Sequence, residues 1–223
     1  MKIVWNYILY FFYNSINWSP WLAFFVFYHD IRGAFKYGIT TFAPVALKKL
    51  TIVNGDRSKA SPYEAVNYYL LETLFTYFRQ VSNADSLVDL GCGKGRVLVV
   101  AAHFGFTNIT GIDFATELCE EASENIKKVH QNFQGVKWNV INDSAEQHNI
   151  SHNDSVFFMF NPFTEEIVDK FLEKLERSCR LFPRTTWFLY ASARHKKIFF
   201  NKGYEIIFQK HILNLKGIIL RKD

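Results

Sequence analysis

The chain has 223 residues, with 26 lysines and arginines against 21 acids and a formal net charge of +5. This length is enough for one sizeable hydrophobic core, and the charge surplus is too small and too scattered to predict a nucleic-acid-binding protein by itself. Three cysteines without metal-binding or redox spacing, Cys92, Cys119 and Cys179, predict reduced thiols in a cytoplasmic setting.

The first 60 residues are predicted to form an aromatic-rich extension that precedes a domain at residues 61–223. Residues 3–28 carry no charge, but polar residues at 14–20 divide them into two apolar segments of about 11 residues, each too short to cross a bilayer. Three alternatives stay open: two short helices at a membrane interface, a cover packed on the domain, and a membrane span. A signal peptide is disfavoured, because no small-residue cleavage site follows the apolar run.

A basic flank follows this extension and bears on the choice among the three. Lys48, Lys49, Arg57 and Lys59 outnumber the neighbouring acids, and such a flank favours an anionic surface on the cytoplasmic side of a membrane. The sequence therefore predicts reversible membrane association through residues 1–46.

The next predicted element is an amphipathic helix at residues 62–80. Pro62 suits the first turn of a helix, and Ser61 suits its cap.

Residues 87–95, LVDLGCGKG, are the most informative stretch of the sequence. An apolar run that contains Asp89 opens into glycines at alternate positions, which predicts a strand followed by a tight loop where a ligand touches the backbone. Residues 96–104 are predicted as a buried helix, and Asn108–Asp113 as a second strand that ends in a carboxylate. Together they predict a β-α-β nucleotide-binding unit.

The spacing of the glycines bears on which nucleotide is bound. A dinucleotide fingerprint needs glycine at its first, third and sixth positions. Counted from Gly91 the sixth position is Arg96, and counted from Gly93 it is Leu98. This spacing disfavours an NAD-linked oxidoreductase, which remains one alternative. The other alternative is that the glycine loop is only a tight turn and binds no ligand.

Asp89 followed by Gly91, Gly93 and Gly95 resembles the first motif of the class I S-adenosylmethionine-dependent methyltransferases. The resemblance implies S-adenosyl-L-methionine as the cofactor, with the loop under its methionine part. It also implies that Asp113 binds the two ribose hydroxyls, and two acceptor oxygens suit a vicinal diol. The predicted cofactor contacts are Tyr63, Asp89, Gly91, Cys92, Gly93, Gly95, Asp113, Asp143 and Ser144.

Two of these contacts depend on further parts of the resemblance. The third strand is predicted at residues 135–141, and in the family a side chain just after this strand commonly contacts the adenine amino group. The resemblance therefore implies that Asp143 makes this contact, and the alternative is that Asp143 only caps a turn. Ser61-Pro62-Tyr63 ahead of the glycine loop resembles small bacterial methyltransferases of unassigned substrate. It implies that Tyr63 closes over the cofactor, and a structural helix-start role is the alternative.

The remaining elements alternate as a doubly wound fold requires. Helices are predicted at 116–133, 164–180 and 194–201, and strands at 155–160, 185–192, 204–211 and 215–221, the last two forming a hairpin around Leu213 and Asn214. His148 and His152 are predicted to lie in a solvated loop rather than to bind a metal ion. The predicted fold class is α/β, a doubly wound, seven-stranded, mostly parallel sheet of the Rossmann-like methyltransferase type, over residues 60 to 223.

Asn161-Pro162-Phe163 follows the fourth predicted strand, at the edge where α/β sheets place their chemistry. It resembles a shortened Asn-Pro-Pro-Tyr motif of methyltransferases that act on amino or amide nitrogen. The resemblance implies that Asn161 and the Pro162 carbonyl orient the target nitrogen while Phe163 forms a wall. The motif has one proline fewer than the family pattern, which disfavours a nucleobase, and a purely structural strand end is the alternative.

The predicted function is therefore an S-adenosylmethionine-dependent methyltransferase with a nitrogen acceptor on a protein or a small molecule. The alternatives are the NAD-linked oxidoreductase and a non-catalytic, membrane-associated binding protein on the same fold.

Overall fold

The structure is a computed structural model that describes residues 15–16, 19–42, 44–54, 62–160 and 163–223. Its centre is one seven-stranded sheet in the order β3-β2-β1-β4-β5-β7-β6. The strands are β1 Ser86–Leu90, β2 Asn108–Asp113, β3 Lys137–Asn142, β4 Val156–Phe160, β5 Thr186–Ala191, β6 Glu205–Ile212 and β7 Leu215–Lys222. All neighbours pair in parallel except β7, which is antiparallel to β5 and β6. The predicted seven-stranded α/β fold is confirmed.

Helices cover both faces of the sheet, as the buried central strands require. They are α1 Pro20–Tyr37, α2 Tyr68–Val81, α3 Arg96–His103, α4 Thr116–Val129, α5 Glu165–Leu181 and α6 Lys196–Asn201. Apolar residues of α2, α3 and α4 form one core with the sheet, and those of α5 and α6 form the other. The five residues of β1 are all buried.

The strand order determines where a ligand can bind. The chain runs outward from β1 to β3 on one side and then from β4 outward on the other, so the order reverses between β1 and β4. A crevice opens at the carboxyl ends of the strands at such a reversal, and ligands of doubly wound sheets bind there.

Helix α1 packs against the domain through a buried ion pair. Its Asp30 accepts a hydrogen bond of 2.6 Å from Arg96, the first residue of α3, and both side chains are buried. Arg96 also donates to the Thr41 hydroxyl and the Val66 carbonyl. Breaking a buried ion pair on one side is costly, so this contact ties the described part of the extension to the helix that follows the glycine loop.

The helix predicted at residues 62–80 begins later than the sequence suggested. It starts at Tyr68, and its cap is Asn67, whose side chain accepts from the Tyr69 backbone N–H at 2.9 Å. The prediction that Pro62 opens the helix is wrong, because the backbone at Tyr63 is extended and pairs with Val45. Ser61 lies outside the described residues.

Two further predictions need correction. The second of the two predicted short helices is longer than expected. Helix α1 continues past residue 28, through the charged Asp30 and Arg32, to Tyr37. Within the described ranges, no helix has both the length and the apolar character that a membrane crossing requires.

His148 is buried rather than solvated, with its ring 3.4 Å from the Asp154 carboxylate, whereas His152 is exposed.

Candidate active site

The loop after β1 has the geometry that its glycines predict. Gly91, Gly93 and Gly95 have φ values of 80°, 50° and 79°, a left-handed conformation that L residues with a side chain rarely adopt. The backbone N–H groups of Gly91 and Cys92 both donate to the Ile112 carbonyl of the neighbouring β2 at 2.9 Å. The loop is therefore fixed beside the end of β2, where Asp113 lies.

The carboxylate of Asp113 binds the glycine loop directly. It accepts hydrogen bonds of 2.9 Å from the backbone N–H groups of Gly93 and Ala115. Burial raises the pKa of Asp113 to about 6, although these two hydrogen bonds favour the ionised form. Asp113 is thus placed to hold the loop.

Asp89 lies inside the protein and has an unsatisfied carboxylate oxygen. Its side chain is buried, and its Oδ2 has no hydrogen-bond partner among the described residues. Burial raises the pKa of Asp89 well above its ordinary value, and the nearby Asp113 carboxylate raises it further. A buried polar atom without a partner is costly to keep, so this oxygen fits a role toward a bound ligand.

A cleft opens at the carboxyl ends of β1, β2 and β4. Its lining residues are Leu47, Leu50, Pro62, Tyr63, Glu64, Gly91, Asp113, Phe114, Leu118, Phe160 and Phe163. Most of these side chains are apolar or aromatic, with the Asp113 carboxylate among them, which is the composition typical of small-molecule sites. The cleft brings together Tyr63, Gly91, Asp113 and Phe163 from the predicted set.

Tyr63 packs against the glycine loop at Gly93. A methyl group built on Gly93 would lie 2.2 Å from the ring carbon Cε2 of Tyr63. The Tyr63 hydroxyl donates to the Thr41 carbonyl at 2.7 Å, and the Lys94 ammonium lies 5.4 Å from the centre of the ring. The ring therefore occupies the space that a side chain at position 93 would need, so only glycine fits there.

A segment of the extension contributes to the lining of the cleft, and a cover packed on the domain is one of the three alternatives for the extension. Residues 44–54 bond to the start of α4: the Val53 N–H donates to the Phe114 carbonyl at 2.8 Å, and Thr51 donates to the Glu117 carboxylate. We call residues 44–54 the strap. Its Leu47 and Leu50 reach the cleft, and Leu50 packs on Ala115 and Leu118.

Six of the predicted contacts are not among the residues that line the cleft: Asp89, Cys92, Gly93, Gly95, Asp143 and Ser144. Asp143 accepts from the Ser144 N–H at 2.7 Å, and its own N–H donates to the Asp113 carbonyl at 3.0 Å. Ser144 is buried. The Cys92 thiol packs beneath the loop against Gly111, and both its hydrogen bond with Cys119 and its burial raise its pKa. Asn161 and Pro162 lie outside the described residues.

Seven residues of the cleft lining were not predicted as site residues: Leu47, Leu50, Pro62, Glu64, Phe114, Leu118 and Phe160. Phe114 carried a signal, because it follows the strand-end carboxylate Asp113 directly and so lies at the same edge of the sheet. Leu47 and Leu50 carried none, since only the long-range pairing of the strap with α4 brings them to the cleft.

The residues present fit S-adenosyl-L-methionine. Gly91 lines the cleft together with the Asp113 carboxylate, whose two oxygens can accept hydrogen bonds beside the apolar ring of Phe114. Among the described residues, Oδ2 of the buried Asp89 has no hydrogen-bond partner. The apolar walls suit the flat adenine ring, and the carboxylate suits a diol.

Comparisons with known proteins agree with this geometry. Residues 87–181 match the family model described as a methyltransferase domain. The magnesium protoporphyrin IX methyltransferase from Synechocystis PCC 6803, solved with bound S-adenosylmethionine, is similar over 69% of this chain and 77% of its own, with TM-score 0.53 and 15% identity. No curated protein matches the chain by sequence.

Two further solved structures share the fold. An S-adenosylmethionine-dependent methyltransferase from Aquifex aeolicus has TM-score 0.52 and 16% identity, over 68% of this chain and 88% of its own. The ribosomal protein L11 methylase from Lactobacillus delbrueckii subsp. bulgaricus has TM-score 0.51 and 12% identity, over 69% of this chain and 79% of its own. At such identities the likeness concerns the fold, and the two names that state an acceptor, magnesium protoporphyrin IX and ribosomal protein L11, state different ones.

Proposed function

We propose that this chain, which carries the methyltransferase domain of a class I S-adenosylmethionine-dependent methyltransferase, methylates a nitrogen atom of a protein or a small molecule. The enzyme class and the cofactor follow from the family match, which replaces the NAD-linked and non-catalytic alternatives. The nitrogen acceptor is our proposal. The observation that supports it is that Phe163 lines the same cleft as Gly91 and Asp113.

The chemistry asks the protein chiefly for positioning. S-adenosyl-L-methionine supplies a methyl group that its sulfonium sulfur already activates, so the residues around it must align a nucleophile and exclude water. In our proposal the glycine loop and Asp113 hold the cofactor, with Asp89, Asp143 and Tyr63 as further contacts. Phe160 and Phe163 form an apolar wall at the end of β4, which keeps water from the transfer.

Asn161 and the Pro162 carbonyl are proposed to bind the acceptor nitrogen. Both are hydrogen-bond acceptors, and they directly follow the strand whose last residue, Phe160, lines the cleft. An acceptor oxygen there would fix the N–H of the target so that its lone pair faces the methyl group. For an amine of ordinary pKa near 10.4, a proton must leave before the lone pair can attack.

Asn161→Ala tests this role. We expect turnover to fall about ten- to a hundredfold while cofactor affinity stays unchanged, because the lost hydrogen bond forms only once the acceptor is aligned. The measurement is transfer of labelled methyl from S-adenosylmethionine into a host extract, followed by alkaline hydrolysis, which removes methyl esters and leaves N-methyl groups.

The matched control is Asn149→Ala, at an exposed asparagine of the loop before β4. Unchanged turnover in Asn161→Ala, or label that alkali releases completely, would remove the nitrogen assignment.

We also propose that the protein works in the cytoplasm and touches a membrane surface through α1. The three cysteines are free thiols, which suits a reducing compartment. The outer face of α1 exposes Trp21, Tyr28 and Phe35, at 78%, 62% and 86% of their surface. Aromatic side chains on an exposed helix face are typical of segments that lie in the membrane interface.

Sedimentation with anionic liposomes tests the membrane proposal. We expect the wild-type protein to sediment at low salt and to be released as salt rises, because Lys48 and Lys49 add a screened attraction. The double substitution Trp21→Ser with Phe35→Ser should leave the protein in the supernatant. Leu181→Ser, at a residue of α5 that is 76% exposed, is the control. Wild-type protein that stays in the supernatant at low salt would refute the proposal.

A further inference from the structure

A second cavity lies at the same edge of the sheet as the cofactor cleft. It has a volume of about 340 Å³ and is formed by the turn after β5, by the start of β7 and by part of β6. Ala191 at the end of β5 pairs with Phe160 of β4, which lines the cofactor cleft, and with Gly217 of β7. The cavity is thus one strand away from the end of β4.

The charged residues of this cavity are all basic. Arg194, Lys196 and Lys216 line it together with the uncharged polar residues Ser192, Gln209 and Asn214. In the part of the chain that the structure describes, no acidic side chain pairs with these three cations, whereas Lys170 and Lys222 each bind a glutamate. Three exposed cations converging without an acid in the lining make the cavity attractive to an anion.

The backbone at the rim of the cavity is strained. Ser192 has φ of 52°, a left-handed conformation that is unfavourable for a residue with a side chain. Its N–H donates to the Lys216 carbonyl at 2.7 Å, so the turn is locked to the strand that carries Lys216. Such strain persists where the surrounding structure imposes it, and it is concentrated at functional sites.

We propose that this cavity binds an anionic oxygen group, a phosphate or a carboxylate, on a small-molecule methyl acceptor. The inference rests on the proposed function, and it narrows the acceptor from a protein or small molecule to an anionic small molecule. The cavity volume is within the range of small-molecule sites. Arg194 offers a planar fork of donors, and Lys196 and Lys216 offer point charges, which together suit either kind of group.

The first test measures anion binding without any knowledge of the acceptor. Pyrophosphate and succinate are titrated separately into ¹⁵N-labelled protein, and the amide resonances are followed by NMR. We expect saturable shifts at Ser192, Lys216 and Gly217, and the anion that binds more tightly distinguishes a phosphate from a carboxylate source. Lys196→Glu with Lys216→Glu should weaken binding at least tenfold.

The control carries the same change of net charge at the opposite edge of the sheet. Lys127→Glu with Lys137→Glu alters two exposed lysines, near the end of α4 and at the start of β3. This control should bind the anions as the wild type does. Absence of shifts at the cavity, or equal weakening in both double variants, would overturn the proposal.

The second test concerns the acceptor itself. A host extract is labelled with methyl-labelled S-adenosylmethionine before and after passage over an anion-exchange resin, and the product is separated into protein, nucleic acid, lipid and small molecules. We expect the label to enter small molecules and to be absent from an extract that has passed over the resin. Lys196→Glu with Lys216→Glu should transfer at least tenfold less label while its affinity for the cofactor stays unchanged.

Label that survives the resin, or label in protein or nucleic acid, would refute this inference. Neither result bears on the nitrogen assignment, which the Asn161→Ala variant and alkaline hydrolysis test separately.

Discussion

Gly93→Val is expected to abolish measurable binding of S-adenosyl-L-methionine and to lower the thermal stability of the protein. The first side-chain carbon at this position would lie 2.2 Å from one atom of the Tyr63 ring and 2.6 Å from another, well inside van der Waals contact. The residue would also keep a left-handed φ of 50°, which is strained for a β-branched side chain. Both effects distort the loop on which the cofactor is proposed to lie.

The control for Gly93→Val separates crowding from backbone strain. Gly105→Val places the same side chain at φ of 81°, where nothing lies within 4 Å of the added carbon. It carries the cost of a left-handed valine but leaves the glycine loop intact. Thermal unfolding should show the cost of a left-handed valine in both variants and a further loss of stability in Gly93→Val from the clash with Tyr63. Titration calorimetry should show loss of cofactor binding only in Gly93→Val. Normal binding by Gly93→Val would count against the glycine-loop assignment.

Asp113→Ala is expected to weaken S-adenosyl-L-methionine binding about ten- to 150-fold in a folded protein. A charge-assisted contact to the ribose contributes about 1.5 to 3 kcal/mol, and the substitution also removes the anchor of Gly93. Asp113→Asn keeps the side-chain volume and one acceptor oxygen, so its affinity should fall between those of the wild type and the alanine variant. Titration calorimetry at about pH 8 measures all three.

The same carboxyl should make cofactor affinity depend on pH. The pKa of Asp113 is raised to about 6, so below that value the carboxyl is increasingly neutral and loses its charge-assisted contact. We expect affinity in the wild type to decline as pH falls from about 7 to about 5. In Asp113→Ala the decline should be smaller, with the buried Asp89 as the remaining proposed contact whose pKa is raised, and an identical decline in both proteins would assign it to another group.

Local signals in the sequence were enough for the sheet and the glycine loop. Alternate glycines after an apolar run predicted a tight loop, and Gly91, Gly93 and Gly95 have left-handed φ values there. The predicted bounds of Asn108–Asp113 agree with β2 as observed. The turn at Leu213 and Asn214 joins β6 and β7 as expected, with Leu213 at φ of 51°. In each case the signal and the structure it predicts lie within a few residues of each other.

Long-range contacts account for what the sequence could not predict. The start of α2 was misplaced because Tyr63 pairs with Val45 instead of entering the helix. Arg96 breaks the dinucleotide fingerprint. No local pattern in the sequence indicates its ion pair with Asp30, which lies 66 residues away. An apolar, aromatic stretch such as residues 3–28 favours a membrane and a protein core equally. Within α1, the burial of Leu22, Ala23 and Val26 shows which of its side chains are covered.

We propose that Asp113 and the glycine loop together hold S-adenosyl-L-methionine in one cleft. The most direct measurement is side-by-side titration calorimetry of the wild type, Asp113→Ala and Asp85→Ala, the last at an exposed acid just before β1. We predict one binding site in the wild type, unchanged affinity in Asp85→Ala, and at least tenfold weaker binding in Asp113→Ala. Equal affinity in all three folded proteins would contradict the account.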